Sequence, residues 1–306
     1  MGTNSASREA ARHHADLAER AIPLSAMLQV VLLSLGWGGN SPALRFSLGA
    51  LPPLGAAGIR FAIALVVIAA VMAWRRIPLR VERRDWRPLL GLSVIFLAQI
   101  CLLNLGSVRT TAGRQGLLIN SYPLFVPFFA LAFVPGYRLT APVVGGTLLS
   151  FAGLLLLFGE RALHPGGGLG GDLLVAASGV LLAFKEVYIS TLVRTLHPYV
   201  VLFVQGCLAV PVFFLISAVV EPQHYRWSVP VALSMAYQGV VVAGLCFIGW
   251  TSLLQHYSAG RLSAGFFLTP VFSALLSYLF LGEALSPGLA VGGVIILAGL
   301  LIVRRR

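Results

Sequence analysis

"TAGRQGLLINSYP" (111–123) and "SAGRLSAGFFLTP" (258–270) are one segment written twice, 147 residues apart. The Ala-Gly-Arg core and the later proline match without a gap: Gly113 with Gly260, Arg114 with Arg261, Pro123 with Pro270. Gly145-Gly146 meets Gly292-Gly293 at the same offset, and "GYRLT" (136–140) meets "GEALS" (282–286) one residue out of register. The chain therefore contains a diverged internal repeat, clear in the later part of each half and faint elsewhere.

The surroundings of the repeat belong to a membrane. The 306 residues are 58% hydrophobic and only 10% charged, with a mean hydropathy of +0.89. A soluble protein of this size cannot hide so much apolar surface. Apolar runs of about 20 residues, enough to cross a ~30 Å hydrocarbon core as helix, recur along the whole length. A membrane β-barrel would alternate apolar and polar residues instead, and no such alternation is visible.

Ten spans are expected, over about 24–44, 54–74, 87–107, 113–133, 140–159, 172–193, 198–219, 229–254, 262–281 and 286–303. This is an all-α membrane fold of ten transmembrane helices. The repeat divides it into a first unit, 24–159, and a second, 172–303, joined by a loop at 160–171. Five helices per unit is an odd number, so the second unit enters the membrane from the opposite side. Two inverted repeats about an axis in the membrane plane suit rocking around a central cavity, the geometry of alternating access.

Arginine assigns the sides. With the N-terminus inside, fifteen arginines fall in cytoplasmic loops and tails, six of them in "RRIPLRVERRDWR" (75–87). Five fall outside: Arg45, Arg109, Arg114, Arg161 and Arg226. Residues 1–23, which include His13 and His14, and 304–306 are read as cytoplasmic tails of a protein in a bacterial-type inner membrane. The net charge of +12 is spread over loops rather than along one face, so nucleic acid is excluded as a partner. Cys101, Cys207 and Cys246 lie within apolar spans without ligand spacing; no metal or cofactor is expected. The partners expected are a small-molecule substrate and lipid, with the monomer as working unit.

The motifs resemble the drug/metabolite transporter superfamily, in its EamA-like branch of ten-helix exporters. They are "GWGGNSPALRFSLG" (36–49), "PPLGAAGIRFAIA" (52–64), the Gly-Arg elements opening helices 4 and 9, Pro123, Pro270, and "LGEALSPGLAVGGVIILAGLLI" (281–302). The similarity runs from about residue 24 to 303, with one departure: Tyr137 stands where the second half has Glu283. The resemblance implies a basket whose helices 1, 3, 4, 6, 8 and 9 line a cavity, and net export of small metabolites. YddG-type amino-acid exporters are the members taken for comparison.

Lys185, the only lysine in the chain, is the sharpest candidate. It lies 13 residues after Asp172 and nine before Arg194, about 20 Å and 13 Å along a helix, hence near mid-membrane. A cation there costs about 2.5–3.5 kcal/mol facing lipid, so it belongs in the interior. One reading is a contact for a substrate carboxylate; the other is a structural ion pair. Glu186 points about 100° away on an ideal helix and is expected not to pair with it, but with Arg60, or to stay protonated, or to couple protons. The 147 offset sets Lys185 opposite Gly38, so Gly38 and Gly39 are expected to leave the lysine room.

Further lining candidates are Trp37, Asn40, Ser41, Gln99, Asn104, Gln115, Asn120, Tyr122, Tyr188, Tyr237, Gln238, Trp250, Ser252, Gln255, Tyr257, Phe266, Phe267 and Thr269. Pro123, Pro127 and Pro270 are expected to kink helices 4 and 9, as hinges or as static bends. One fixed cation among aromatics and amides suits a zwitterionic amino acid, aromatic or otherwise neutral. Organic cations come second; phosphorylated sugars, which call for several convergent basic groups, come third. A channel needs no inverted repeat. An embedded enzyme would show paired aspartates or a Ser–His set, and neither is visible.

Overall fold

The computed structural model describes residues 22–47, 49–163, 168–282 and 288–304. Among these residues the regular structure is entirely helical, in ten rods. α1 comprises Leu24–Gly38 and Asn40–Ser47, α2 is Pro53–Trp74, α3 is Trp86–Ser107, and α4 runs through Ala112–Asn120, Tyr122–Leu124 and Val126–Phe133. α5 is Ala141–Leu163, α6 Leu169–Leu192 and α7 Pro198–Val220. α8 joins Val229–Ala236, Tyr237–Cys246 and Phe247–His256; α9 joins Ala259–Ser263, Ala264–Phe267 and Leu268–Leu281; α10 is Gly288–Arg304.

Local chemistry sets the ends. Prolines at the first turn open α2 and α7, where the missing N–H costs nothing. Thr111 and Ser228 cap α4 and α8 by accepting from the amides of Arg114 and Val231. Gly282, at φ 67°, closes α9 in the left-handed conformation. α6 begins at Leu169, slightly earlier than the expected 172. The N-terminal tail with His13 and His14, and Glu283, lie outside the described residues.

Among the described residues, eight rods are long and apolar enough to cross a membrane. The expectation of ten such spans is corrected at the two ends of the chain. The first segment of α1 has 15 residues, about 22 Å of helix, because Gly39 interrupts it. α10 has 17. Large apolar side chains such as Val66, Phe128, Leu215, Leu279 and Val294 are more than half exposed, as a lipid-facing perimeter requires.

Packing follows a pseudo-symmetric pattern. α1 packs on α9 as α6 packs on α4; α2 on α8 as α7 on α3; α3 on α6 as α8 on α1. α2 against α7 and α5 against α10 pair corresponding rods. Exchanging each rod with the one five places later maps these contacts onto one another. α5 and α10 meet through glycine: a Cβ at Gly153 would come within 2.6 Å of the Gly292 carbonyl, and one at Gly292 within 2.7 Å of that of Gly153. Small residues permit this approach in the absence of a hydrophobic drive between membrane helices.

Three rods depart from α geometry near the centre. α4 and α9 each contain a tight 3-10 turn, at Tyr122–Leu124 and Ala264–Phe267. Pro123 sits within the first, Pro127 in the turn that follows it, and Pro270 in the first turn after the second. In α8, Tyr237–Cys246 is a π-helix, its bonds running to the fifth residue.

Candidate substrate site

Lys185 and Glu186 lie midway along α6 and are 4% and 5% exposed. Contrary to the expectation from helix geometry, they pair with each other, Lys185 Nζ to Glu186 Oε1 at 3.1 Å. The Cα–Cβ vectors diverge, but the lysine stem is four carbons long and flexible. At this burial each charge is the other's best available counter-ion. The second carboxylate oxygen of Glu186 accepts from Trp250 Nε1 of α8 at 2.5 Å.

Aromatic rings wall this pair. The ammonium lies 5.7 Å from the Phe96 ring centre and 5.4 Å from that of Phe247, within cation–π range. Trp37 packs edge-on to Phe247 at 6.0 Å and to Trp250 at 6.2 Å, and lies 4.7 Å from Phe266. Phe266 also meets Trp250 at 4.3 Å and Tyr122 at 5.5 Å. Side chains from α1, α3, α4, α6, α8 and α9 therefore converge on one buried ion pair.

Other candidates are placed elsewhere. Phe267 is fully buried with Met27, Val143 and Ile296 in a separate core; its neighbour Phe266 points to a different side of the helix and faces the site. Gln99 donates to Ser178 Oγ at 3.0 Å, and Ser178 donates back to the Gln99 carbonyl at 2.9 Å, a clasp between α3 and α6. Asn104, Asn120 and Ser252 donate to carbonyls four residues back. Tyr188 stacks on Phe184 and donates to the Pro88 carbonyl at 3.2 Å, away from Lys185. Tyr237 donates to the Gly36 carbonyl at 2.8 Å.

Arg60 does not meet Glu186. Its Nη1 donates to Gln238 Oε1 at 3.4 Å, and Gln238 donates in turn to Ser234 and Ser47. Asn40, Gln115, Gln255, Tyr257 and Thr269 are half-buried and Ser41 is exposed. Nor do Gly38 and Gly39 make room for the lysine. A Cβ at Gly38 would come within 2.7 Å of Phe272 of α9, and one at Gly39 would strike the Tyr237 hydroxyl. These glycines serve close contact between α1, α8 and α9.

The rings of Phe96 and Phe247 are the site residues that sequence reasoning missed. Phenylalanine in an apolar span reads as core; the available signal was spacing, since Phe247 precedes Trp250 by three residues and so shares its face.

The EamA-like transporter family model matches the chain twice, over residues 24–159 and 169–305. A protein of Streptantibioticus cattleyicolor described as "Probable terminal-alkyne amino-acid exporter" is 27% identical, over 92% of this chain and 94% of that one. The "Aromatic amino acid exporter YddG" of Ancylobacter novellus is 28% identical, over 83% and 88%. A solved crystal structure superimposes with a TM-score of 0.79 at 24% identity, covering 91% of this chain and 97% of its own. The two matched halves, the all-helical membrane fold and the exchange symmetry of its packing agree: the chain belongs to the EamA-like transporter family.

Proposed function

We propose that this secondary transporter of small metabolites exports amino acids with aromatic or other neutral side chains. On this reading two inverted five-helix repeats, 24–159 and 172–303, rock about the Lys185 site in a bacterial-type inner membrane, with both termini cytoplasmic. The observation that carries it is the Lys185–Glu186 pair, 3.1 Å apart and enclosed by aromatic rings. Such a pair is a template for a zwitterion. The substrate carboxylate takes Lys185, its ammonium takes Glu186, and the side chain lies among Trp37, Phe247 and Phe266. Until substrate arrives the two charges satisfy each other. The likeness to the Streptantibioticus cattleyicolor and Ancylobacter novellus proteins, described as amino-acid exporters, supports an amino-acid substrate.

An organic cation is the second reading, since Glu186 and the rings would suit one. It ranks lower because the carboxylate is already paired.

The test is exchange of labelled tyrosine by reconstituted protein, against tyramine, which lacks the carboxylate. Saturable exchange of tyrosine alone is expected. Lys185→Met is expected to slow it at least about tenfold, since a charge-assisted bond is worth about 1.5–3 kcal/mol. Wild-type rates in folded Lys185→Met protein would sink the proposal; tyramine exchange would favour the cation reading.

A further inference from the structure

A second polar cluster lies at the end of the bundle where α4 ends, α6 ends and α9 begins. Tyr137, in the connection from α4 to α5, is 7% exposed, and Arg261, in the first turn of α9, is 4% exposed. The Tyr137 hydroxyl rests against Gly260, where a Cβ would collide with it. Three buried polar atoms meet here: Arg261 Nη1 has no hydrogen bond among the described residues, and Tyr137 Oη and Ser258 Oγ have at most each other. A small cavity beside them is lined by Tyr137, Ser258, Ser190 and Arg194.

The chemistry is one-sided. A guanidinium and the Tyr137–Ser258 hydroxyl pair offer protons, and Arg194, whose Nε donates to the Ser190 carbonyl at 3.1 Å, borders the cavity. Burial pushes the Tyr137 phenol up to about 12, with Arg261 and Ser258 opposing the shift, so it stays a neutral donor at physiological pH. Several carboxylates among the described residues are engaged elsewhere: Asp172 with Arg114, Glu186 with Lys185, Glu221 with the first amides of α2, and Glu82 and Asp85 with Arg84. Buried donors without acceptors are costly, and an oxyanion satisfies several at once.

Position adds direction. Glu186 and Ser190 lie four residues apart on one face of α6, about 6 Å along its axis, and Arg194 follows in the turn after Leu192. The cluster therefore lies beyond Ser190, at the end of α6, on the side of the central pair's glutamate. The geometry points to a second anion site, which receives the carboxylate of the transported solute at this end of the bundle before or after it occupies Lys185. The identity of the solute rests on the reading proposed above; the anion site does not.

The two are separated by titrating acetate, at constant ionic strength, into purified full-length protein in nanodiscs of neutral lipid and following thermal unfolding. Acetate is expected to raise Tm saturably in wild type and equally in Lys185→Met. Tyr137→Phe, which removes one hydroxyl, is expected to raise the half-saturating concentration about tenfold, and Arg261→Gln to abolish the response. An acetate response that is lost in Lys185→Met, or is unchanged in Tyr137→Phe, overturns the second site. Suppression of the acetate response by phosphatidylglycerol would make the occupant a lipid headgroup and overturn the assignment to solute. Full transport by Lys185→Met would instead remove the proposed function and leave the acetate result standing.

Discussion

Arg114 and Arg261 hold the same place in the two halves of the repeat, 147 residues apart, and live in opposite circumstances. Arg114 is 30% exposed in its side chain and pairs with Asp172 Oδ2 at 2.9 Å; Thr110 also donates to that carboxylate. This end of the bundle is fastened, α4 to α6. Arg261 is 4% exposed with Nη1 unsatisfied among the described residues. The cause is visible by subtraction: the position 147 residues before Asp172 is Ser25, which cannot act as a counter-ion. The repeat kept the arginine and let its partner diverge. Symmetry of backbone is therefore compatible with two ends of unlike electrostatics.

The buried pair between the two ends is the yardstick, and it should show the largest effect. Lys185→Met leaves the Glu186 carboxylate uncompensated, an expected loss of about 3–5 kcal/mol, and adding Glu186→Gln should restore most of it. Thermal unfolding of the single and double variants checks this; equal stability would mean that the charges are not coupled. Next comes Arg261→Gln, which is expected to be neutral or to stabilise by about 1 kcal/mol in acetate-free buffer, because it removes an orphaned buried donor. A clear destabilisation would give Arg261 a partner and erase the contrast with Arg114.

Asp172→Asn should cost at most about 1 kcal/mol, since the pair it breaks is partly exposed and screened. Its signature is local: faster hydrogen exchange in the first turns of α4 and α6, with the α9 end unchanged. The smallest effect concerns His197, whose ring accepts from the Tyr199 amide at 3.3 Å. Burial first, then Arg75, lowers its pKa below the usual 6.5, so folding favours the neutral ring. Its contribution to stability is complete above pH 6.5 and is lost as pH falls through the folded value. His197→Asn should flatten that part of the Tm profile.

Much of the fold was legible in the sequence. Hydropathy placed ten rods close to their observed bounds, because length and apolarity alone decide what a bilayer accepts. The repeat anticipated the exchange of contacts between halves. Side-chain placement was harder to read. Lys185 was identified as interior from its cost in lipid, yet its pairing with Glu186 depends on stem flexibility, which an ideal helical wheel omits. Phe266 and Phe267 differ by one position, and the rotation of α9 about its axis, which the sequence does not give, decides which faces the site. Gln99 and Tyr237 look like binding groups by type, but each is spent on a neighbouring helix.

The π segment of α8, Tyr237–Cys246, separates two contacts that pull in different places. At its first residue, Tyr237 holds α1 through the Gly36 carbonyl; downstream, Trp250 holds Glu186. A π segment stores surplus residue in its turns. Expelling one residue's worth would advance the downstream part by about 100° about the helix axis, with both ends of α8 still anchored. That is a screw motion, so the bond from the Trp250 indole to the Glu186 carboxylate depends on the π turns being kept.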